Sequence, residues 1–225
     1  MLYNRFMKVI PFEVNTGIEN MQIDRSLLEE SIRTQSKKHI LRLYGWSPKC
    51  VSLGRNQRTD FINRDFLKKH NIDLVKRLTG GRALLHDKEL TYCYICPIST
   101  LQNGDSVIES YKEILQIFFE PFKMLGIDLE ISERKHSNKD FNYCMQITTS
   151  ADLCYKNKKL IGSAQYRKEG YILQHGSILL DYDKNLLETI FNETINTHLI
   201  TSMKEINPDI TIADLIHLWD KYNDI

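Results

Sequence analysis

The segment "DLCYKNKKLIGSAQYRKEGYILQHGSILLDY" constrains the fold more than any other part of the chain. It reads as three strands, with turns at Asn157-Lys158 and Glu169-Gly170. Turns that short make hairpins, so the sheet has to be antiparallel here. Upstream, "HILRLYGW" and "CVSLG" are β-like runs parted by Ser47-Pro48. "IDLVKR" is a further strand, and "GRALLHDKELTYCYICPI" reads as two strands around His86-Asp87-Lys88. "IENMQIDRSLLEESI" places Ile18, Met21, Leu28 and Ile32 near helical spacing, and "FINRDFLKKH" is a short helix. A longer helix is expected from Ser106 to about Leu125, with Asp105 as N-cap and Pro121 kinking it or ending its regular part. Its apolar face would be Val107, Tyr111, Ile114, Phe118, Phe122 and Leu125. "KHSNKDFN" is a polar loop, and "NLLETIF" and "TIADLIHLWDKY" are helical. Strands and helices interleave without βαβ rhythm. The expected fold is therefore α+β, with a mixed, largely antiparallel sheet flanked by helices.

At 225 residues the chain suits one domain over 1–225, with core motifs over 20–181 and a helical tail over 183–225. Thirty basic and 29 acidic residues nearly cancel, so neither a nucleic acid nor a membrane surface is an expected partner. The apolar runs are too short to span a bilayer, and the N-terminus lacks a signal-peptide layout. A cytoplasmic location follows as the expectation. The five cysteines are then thiols. Cys93 and Cys96 form a lone CxxC with no second soft pair, so no metal is expected, and buried strand positions suit them better.

Three segments put turn glycines and polar residues inside apolar strands: "SLGRNQ", "KRLTGGRALLHDKELTY" and "KKLIGSAQYRKEGYILQHGSILLD". Glycine weakens a strand unless a ligand or another backbone must come close. Gly80-Gly81 lacks the P-loop pattern, but Arg77 and Arg82 bracket it and His86 follows. Arginines beside exposed backbone N–H groups make an anion site, and the bland reading is a solvated hairpin tip. Lys159 opens a strand that continues with Gly162, Ser163 and Gln165, small enough in part to approach a ligand. His175 lies between aliphatic runs, where a hydrogen-bonded core histidine competes with a functional one. In "FNYCMQITTS", Phe141, Tyr143, Met145 and Ile147 alternate as a buried strand would, which makes Cys144 either filler or a nucleophile.

Together these segments resemble lipoate–protein ligases and their octanoyltransferase relatives, from about Asn20 to Asp181. The resemblance implies a fold like the catalytic domain of biotin–protein ligases and an apolar tunnel for an eight-carbon acyl chain. It also implies attachment of octanoyl or lipoyl groups to a specific lysine of a carrier domain. The "TGGRA.LHD.ELTY" form of the central motif is similar to the Cys-dependent octanoyltransferases, in which a cysteine precedes the lysine of a "K..GSAQ" strand by fifteen residues. Cys144 and Lys159 have that separation. Lys76 stands where the family often has arginine, and "CMQITTSADL" lacks the proline common after the cysteine. Cys154 is a nearby competitor whose spacing to Lys159 fits no family pattern.

In that branch, octanoate arrives on acyl carrier protein, is held as a thioester on cysteine and passes to the glycine-cleavage H protein or another lipoyl domain. The thiolate is the nucleophile, and a nearby ammonium, here Lys159, favours it. Thioester exchange needs no ATP, and no cofactor is expected. Lys159 and backbone N–H groups would stabilise the oxyanions. Arg77, Arg82 and His86 would order the loop over the acyl site, and Leu84, Leu85 and Ile161 are either tunnel wall or core. The competing expectations are an ATP- and magnesium-dependent lipoate ligase in which Cys144 is incidental, and a non-catalytic lipoate- or carrier-binding homologue.

Overall fold

A computed structural model describes residues 7–132, 141–149 and 152–219. Its main sheet has the strand order β1 (Met7–Asn15), β2 (His39–Trp46), β6 (Glu89–Pro97), β10 (Tyr171–Leu179), β9 (Lys158–Lys168), β8 (Leu153–Tyr155) and β7 (Glu130–Ile131). Strands β1 and β2 run parallel and the other neighbours antiparallel. A second sheet places β3 (Cys50–Leu53) between β4 (Asp73–Lys76), parallel to it, and β5 (Leu84–His86), antiparallel. This is the mixed, largely antiparallel α+β architecture expected.

The hairpins are where the turn residues put them, with one correction. The β8–β9 turn is Lys156-Asn157, at φ 48° and 63°, one residue earlier than expected. Lys158 is already paired with Tyr155, and two left-handed residues are what a two-residue hairpin turn requires. Glu169 and Gly170 turn the chain between β9 and β10, with φ 48° and 80°.

Two helices bury much of the face the periodicity suggests, each with a departure at its N-terminal end. Helix α1 (Gly17–Arg33) starts in a Thr16–Glu19 capping box. Ile18 is 62% exposed, whereas Asn20, Asp24, Leu28 and Ser31 are buried. The cause lies in β2. Arg42 is buried there and donates to Asp24 Oδ1 at 2.7 Å and Asn20 Oδ1 at 2.6 Å, and Tyr44 donates to Asp24 Oδ2 at 2.9 Å. A buried guanidinium needs such partners. Helix α3 (Val107–Met124) is capped by Ser106, not Asp105, through its acceptance of the Glu109 N–H. Val107 is exposed, the buried stripe is Ile114, Leu115, Phe118 and Phe122, and the helix continues past Pro121.

One face of the main sheet packs on α3 and on α6 (Ile212–His217), with Phe118 edge-on to Trp219. The other face meets α1, through Leu28 against Tyr44, Cys93 and Leu173, and lies beside the small sheet. Cys93 and Cys96 are fully buried in clusters on opposite faces, so this pair serves as core. Helix α2 (Arg64–Lys69) and α4 (Lys184–Phe191) pack on the small sheet, and the short α5 (Met203–Ile206) buries Met203 in the main core. The tail is thus built into the fold. Of the polar loop expected over 135–142, residues 135–140 lie outside the described residues, as do 220–222 of the last expected helix. No helix among the described residues is long and apolar enough to cross a membrane.

Candidate active site

Between the two sheets lies a narrow cavity of about 30 Å³. The main sheet contributes Tyr44, Thr91, Gly162, Ser163, Ala164, His175, Gly176 and Ser177. The facing wall is Ser52, Arg77, Leu84 and His86, Trp46 closes the end of β2, and Met21 and Cys144 line the remaining sides. The surface the cavity exposes is largely apolar. Most of its polar groups are committed to one another, and Ser177 is the exception, buried with an unpartnered hydroxyl. Of the three residues for which tunnel wall and core were both open, Leu84 lines the cavity and packs in the core, while Leu85 and Ile161 belong to the core alone.

Cys144 does not sit in a strand. Tyr143 makes a single parallel bridge to Ala83, and residues Cys144–Gln146 then form a 3-10 turn. The Cys144 N–H donates to Ala83 O at 2.8 Å. Glu193, just after α4, accepts from Asn142 N at 2.7 Å, Tyr143 N at 2.9 Å and Gln146 Nε2 at 2.9 Å. Tyr143 stacks on Phe191 at 5.1 Å, and Gln57 donates to Asn142 O at 3.3 Å. The loop is shaped by a carboxylate from the tail, a residue sequence reasoning missed.

Of the five cysteines, Cys144 is half-buried and the other four are buried. Burial pushes the Cys154 thiol up to about 11 and lifts Cys50, Cys93 and Cys96 further. Cys154 is therefore an inert thiol near neutrality.

The structure brings Cys144 and Lys159 together. Lys159 Nζ lies 3.9 Å from Cys144 Sγ, 3.1 Å from Cys144 O and 2.7 Å from Ile147 O. It also pairs with Asp152 Oδ2 at 3.1 Å, both side chains being 2% exposed. Burial disfavours the Lys159 charge, but Asp152 and Cys144 outweigh it and raise its pKa above that of an ordinary lysine. Asp152 is fixed in turn, Oδ2 accepting from Thr149 N at 2.7 Å and Oδ1 from Ser163 N at 3.2 Å. A Cβ on Gly162 would stand 2.9 Å from Lys159 Cε and 3.2 Å from Met145 Sδ. This glycine makes room for the lysine. Asp152 was also missed, because one acidic residue in a loop carries no periodic signal.

The Gly80-Gly81 loop is an exposed tip, with Gly81 at φ +92°. Arg77 donates to Thr79 Oγ1, Ser52 O, Ser52 Oγ, Gly80 O and Arg82 O, all within 3.1 Å. A guanidinium has five N–H groups, so Arg77 is the strut of this loop and has no donor left for an anion. Neither Arg82 nor the two glycines line the cavity.

Beneath the loop, Thr79 meets His175 Nε2 at 2.6 Å, and His175 Nδ1 lies 3.6 Å from Asp24 Oδ2. On the other side Ser52 Oγ meets His86 Nε2 at 2.7 Å, and His86 Nδ1 reaches Glu89 at 3.1 Å. His86 also stacks on Trp46 at 3.9 Å. Desolvation lowers the His175 pKa despite the nearby Asp24, so this ring is neutral. The chain from Asp24 to Glu89 stiffens the cavity wall. Ser163 meets Tyr92 OH at 2.7 Å, whereas Gln165 turns away, bonding Gln174 and Ser110 of α3. Gln165 is thus a tie between β9, β10 and α3 and no part of the wall.

The arrangement is a half-buried thiol on a cavity wall, beside a buried ammonium. The model of the lipoyl protein ligase A/B catalytic domain matches residues 16–221. An octanoyltransferase LipM of Exiguobacterium sp. (strain ATCC BAA-1283 / AT1b) is 38% identical over 187 residues, 80% of this chain and 67% of that protein. One of Geobacillus kaustophilus (strain HTA426) is 36% identical over 197 residues, 83% of this chain and 70% of that protein. A crystal structure of lipoate-protein ligase A bound with ATP aligns with a TM-score of 0.74 at 21% identity, covering 96% of this chain and 85% of that one.

Proposed function

This chain belongs to the lipoyl protein ligase A/B catalytic-domain family, and from that membership we propose that it is an octanoyltransferase of lipoate biosynthesis working through a Cys144 thioester. The observation that carries the reading is the placement of Cys144 on the cavity, with its Sγ 3.9 Å from the buried ammonium of Lys159.

The thiolate of Cys144 attacks the carbonyl of octanoyl–acyl carrier protein, and the carrier's thiol leaves. The amine of a carrier-protein lysine, on the glycine-cleavage H protein or another lipoyl domain, then attacks the acyl-enzyme and releases Cys144. Exchanging one thioester for another is nearly balanced and forming the amide runs downhill, so no nucleotide takes part. Lys159 supplies positive charge where the thiolate and the oxyanions form. Ser163 and Leu84 line the acyl cavity, and the buried network under Gly80-Gly81 holds its wall.

The test is an ATP-free transfer assay with octanoyl–acyl carrier protein and apo H protein. Octanoyl-H protein should form with the wild type and be undetectable with Cys144→Ser. Product formation that requires ATP and free acid, and survives Cys144→Ser, would replace this reading with a ligase. Absence of either activity would leave a binding module.

A further inference from the structure

The acyl-enzyme proposed above contains a hazard. Its thioester carbonyl carbon is bonded to Cys144 Sγ, and an amine nitrogen stands 3.9 Å from that sulfur. Were Lys159 neutral, its lone pair could attack the carbonyl carbon. A C–N bond would form, the C–S bond would break, and one nitrogen proton would pass to the departing thiolate. The product is an amide on Lys159, which thioester exchange cannot reverse, and each such event would remove one enzyme molecule. An amine held this close to an electrophile has a very high effective concentration.

The surroundings of Lys159 answer this hazard atom by atom. An ammonium has three N–H groups, and three oxygens receive them: Ile147 O at 2.7 Å, Cys144 O at 3.1 Å and Asp152 Oδ2 at 3.1 Å. Asp152 is itself held by Thr149 and Ser163, so the carboxylate cannot swing away at little cost. The other titratable group acting on Lys159 is the buried thiol Cys154, on β8. The turn Thr197–Leu199, packed on β9, adds only His198, which is exposed. The negative charge beside Nζ that persists once Cys144 is acylated thus comes from Asp152.

We propose that Asp152 is a positioning residue that keeps Lys159 an ammonium through the acyl-enzyme stage, so that the octanoyl group leaves to the carrier lysine and not to the enzyme's own. This deepens the thioester reading and rests on it. Neutralising Asp152 opens an intramolecular S-to-N acyl shift.

The experiment charges wild type, Asp152→Asn and Asp152→Asn/Lys159→Arg with octanoyl–acyl carrier protein. Each is quenched, split with and without neutral hydroxylamine, and read by intact mass and peptide mapping. Hydroxylamine should strip the wild-type adduct completely. In Asp152→Asn a resistant adduct should accumulate with time and map to Lys159, and the double variant should lose it. A purely structural role for Asp152 would lower adduct yield without creating a resistant one. Full release from Asp152→Asn, or resistance mapping to any other lysine, overturns the proposal. Absence of any wild-type adduct at Cys144 overturns the thioester reading itself, a separate result.

Should Asp152→Asn fail to melt cooperatively, Asp152→Ser, which also removes the charge beside Lys159 Nζ, is charged and quenched in its place. Hydroxylamine-resistant label on Lys159 is expected there, and full release by hydroxylamine would refute the idea.

Discussion

At the residue scale the account turns on two contacts, Cys144 Sγ with Lys159 Nζ and Lys159 with Asp152. Lys159→Ala removes the cation beside the sulfur and should lower transfer activity roughly 10²-fold. It should also slow alkylation of Cys144 by iodoacetamide at neutral pH, because the positive charge 3.9 Å from the sulfur is gone. The same change strands Asp152 and should cost about 3–5 kcal/mol by denaturant unfolding. Lys159→Ala/Asp152→Ala should recover much of that stability and none of the activity, which separates the chemical role from the structural one. Gly162→Ala places a methyl against Lys159 Cε and Met145 Sδ. It should cost about 1–3 kcal/mol and slow Cys144 alkylation by displacing the ammonium. The Cys144–Lys159 pairing was legible in the sequence only as a spacing. Asp152 was not legible at all, since its role depends on a loop folding back onto β9.

At the element scale, the loop around Cys144 shows where periodicity misleads. Phe141, Tyr143, Met145 and Ile147 alternate, yet only Tyr143 makes a β-bridge, and a 3-10 turn follows. The segment takes its shape from Glu193 and Phe191, some fifty residues away in sequence, and no local pattern encodes that. Glu193→Ala removes three hydrogen bonds and should destabilise this loop by about 1–3 kcal/mol. Faster amide exchange at Asn142 and Tyr143, with core strand protection unchanged, is the expected result. Exchange that stays slow would dismiss Glu193 as the organiser. Helix α1 teaches the same lesson in reverse. Its apolar spacing announced the helix correctly, but its buried face is set by Arg42 on another element. Arg77 likewise looked like half of an anion site from its glycine neighbours, and its five donors proved to be spent on the loop.

At the scale of the whole molecule, the fold was the most legible property, because short turns and alternating strands fix antiparallel order locally. The cavity was less so, since it depends on how a second sheet stands against the first. The fold has a pH signature. His39 and His175 are both held below the ordinary 6.5, chiefly by burial. The folded state therefore binds fewer protons than the unfolded chain once pH falls below about 6.5. Stability present above that value should be lost progressively below it, before carboxylates titrate. The thermal midpoint should drop between pH about 7.5 and 5.5, and His39→Gln, remote from the cavity, should flatten that drop. A midpoint independent of pH across this window would contradict the buried neutral histidines. The central claim, a covalent intermediate on Cys144, is read most directly from the mass of the intact chain after brief exposure to octanoyl–acyl carrier protein. The account predicts one octanoyl increment that hydroxylamine removes, that apo carrier protein discharges, and that Cys144→Ser never acquires. An unmodified wild-type mass, or an increment that Cys144→Ser retains, would contradict it.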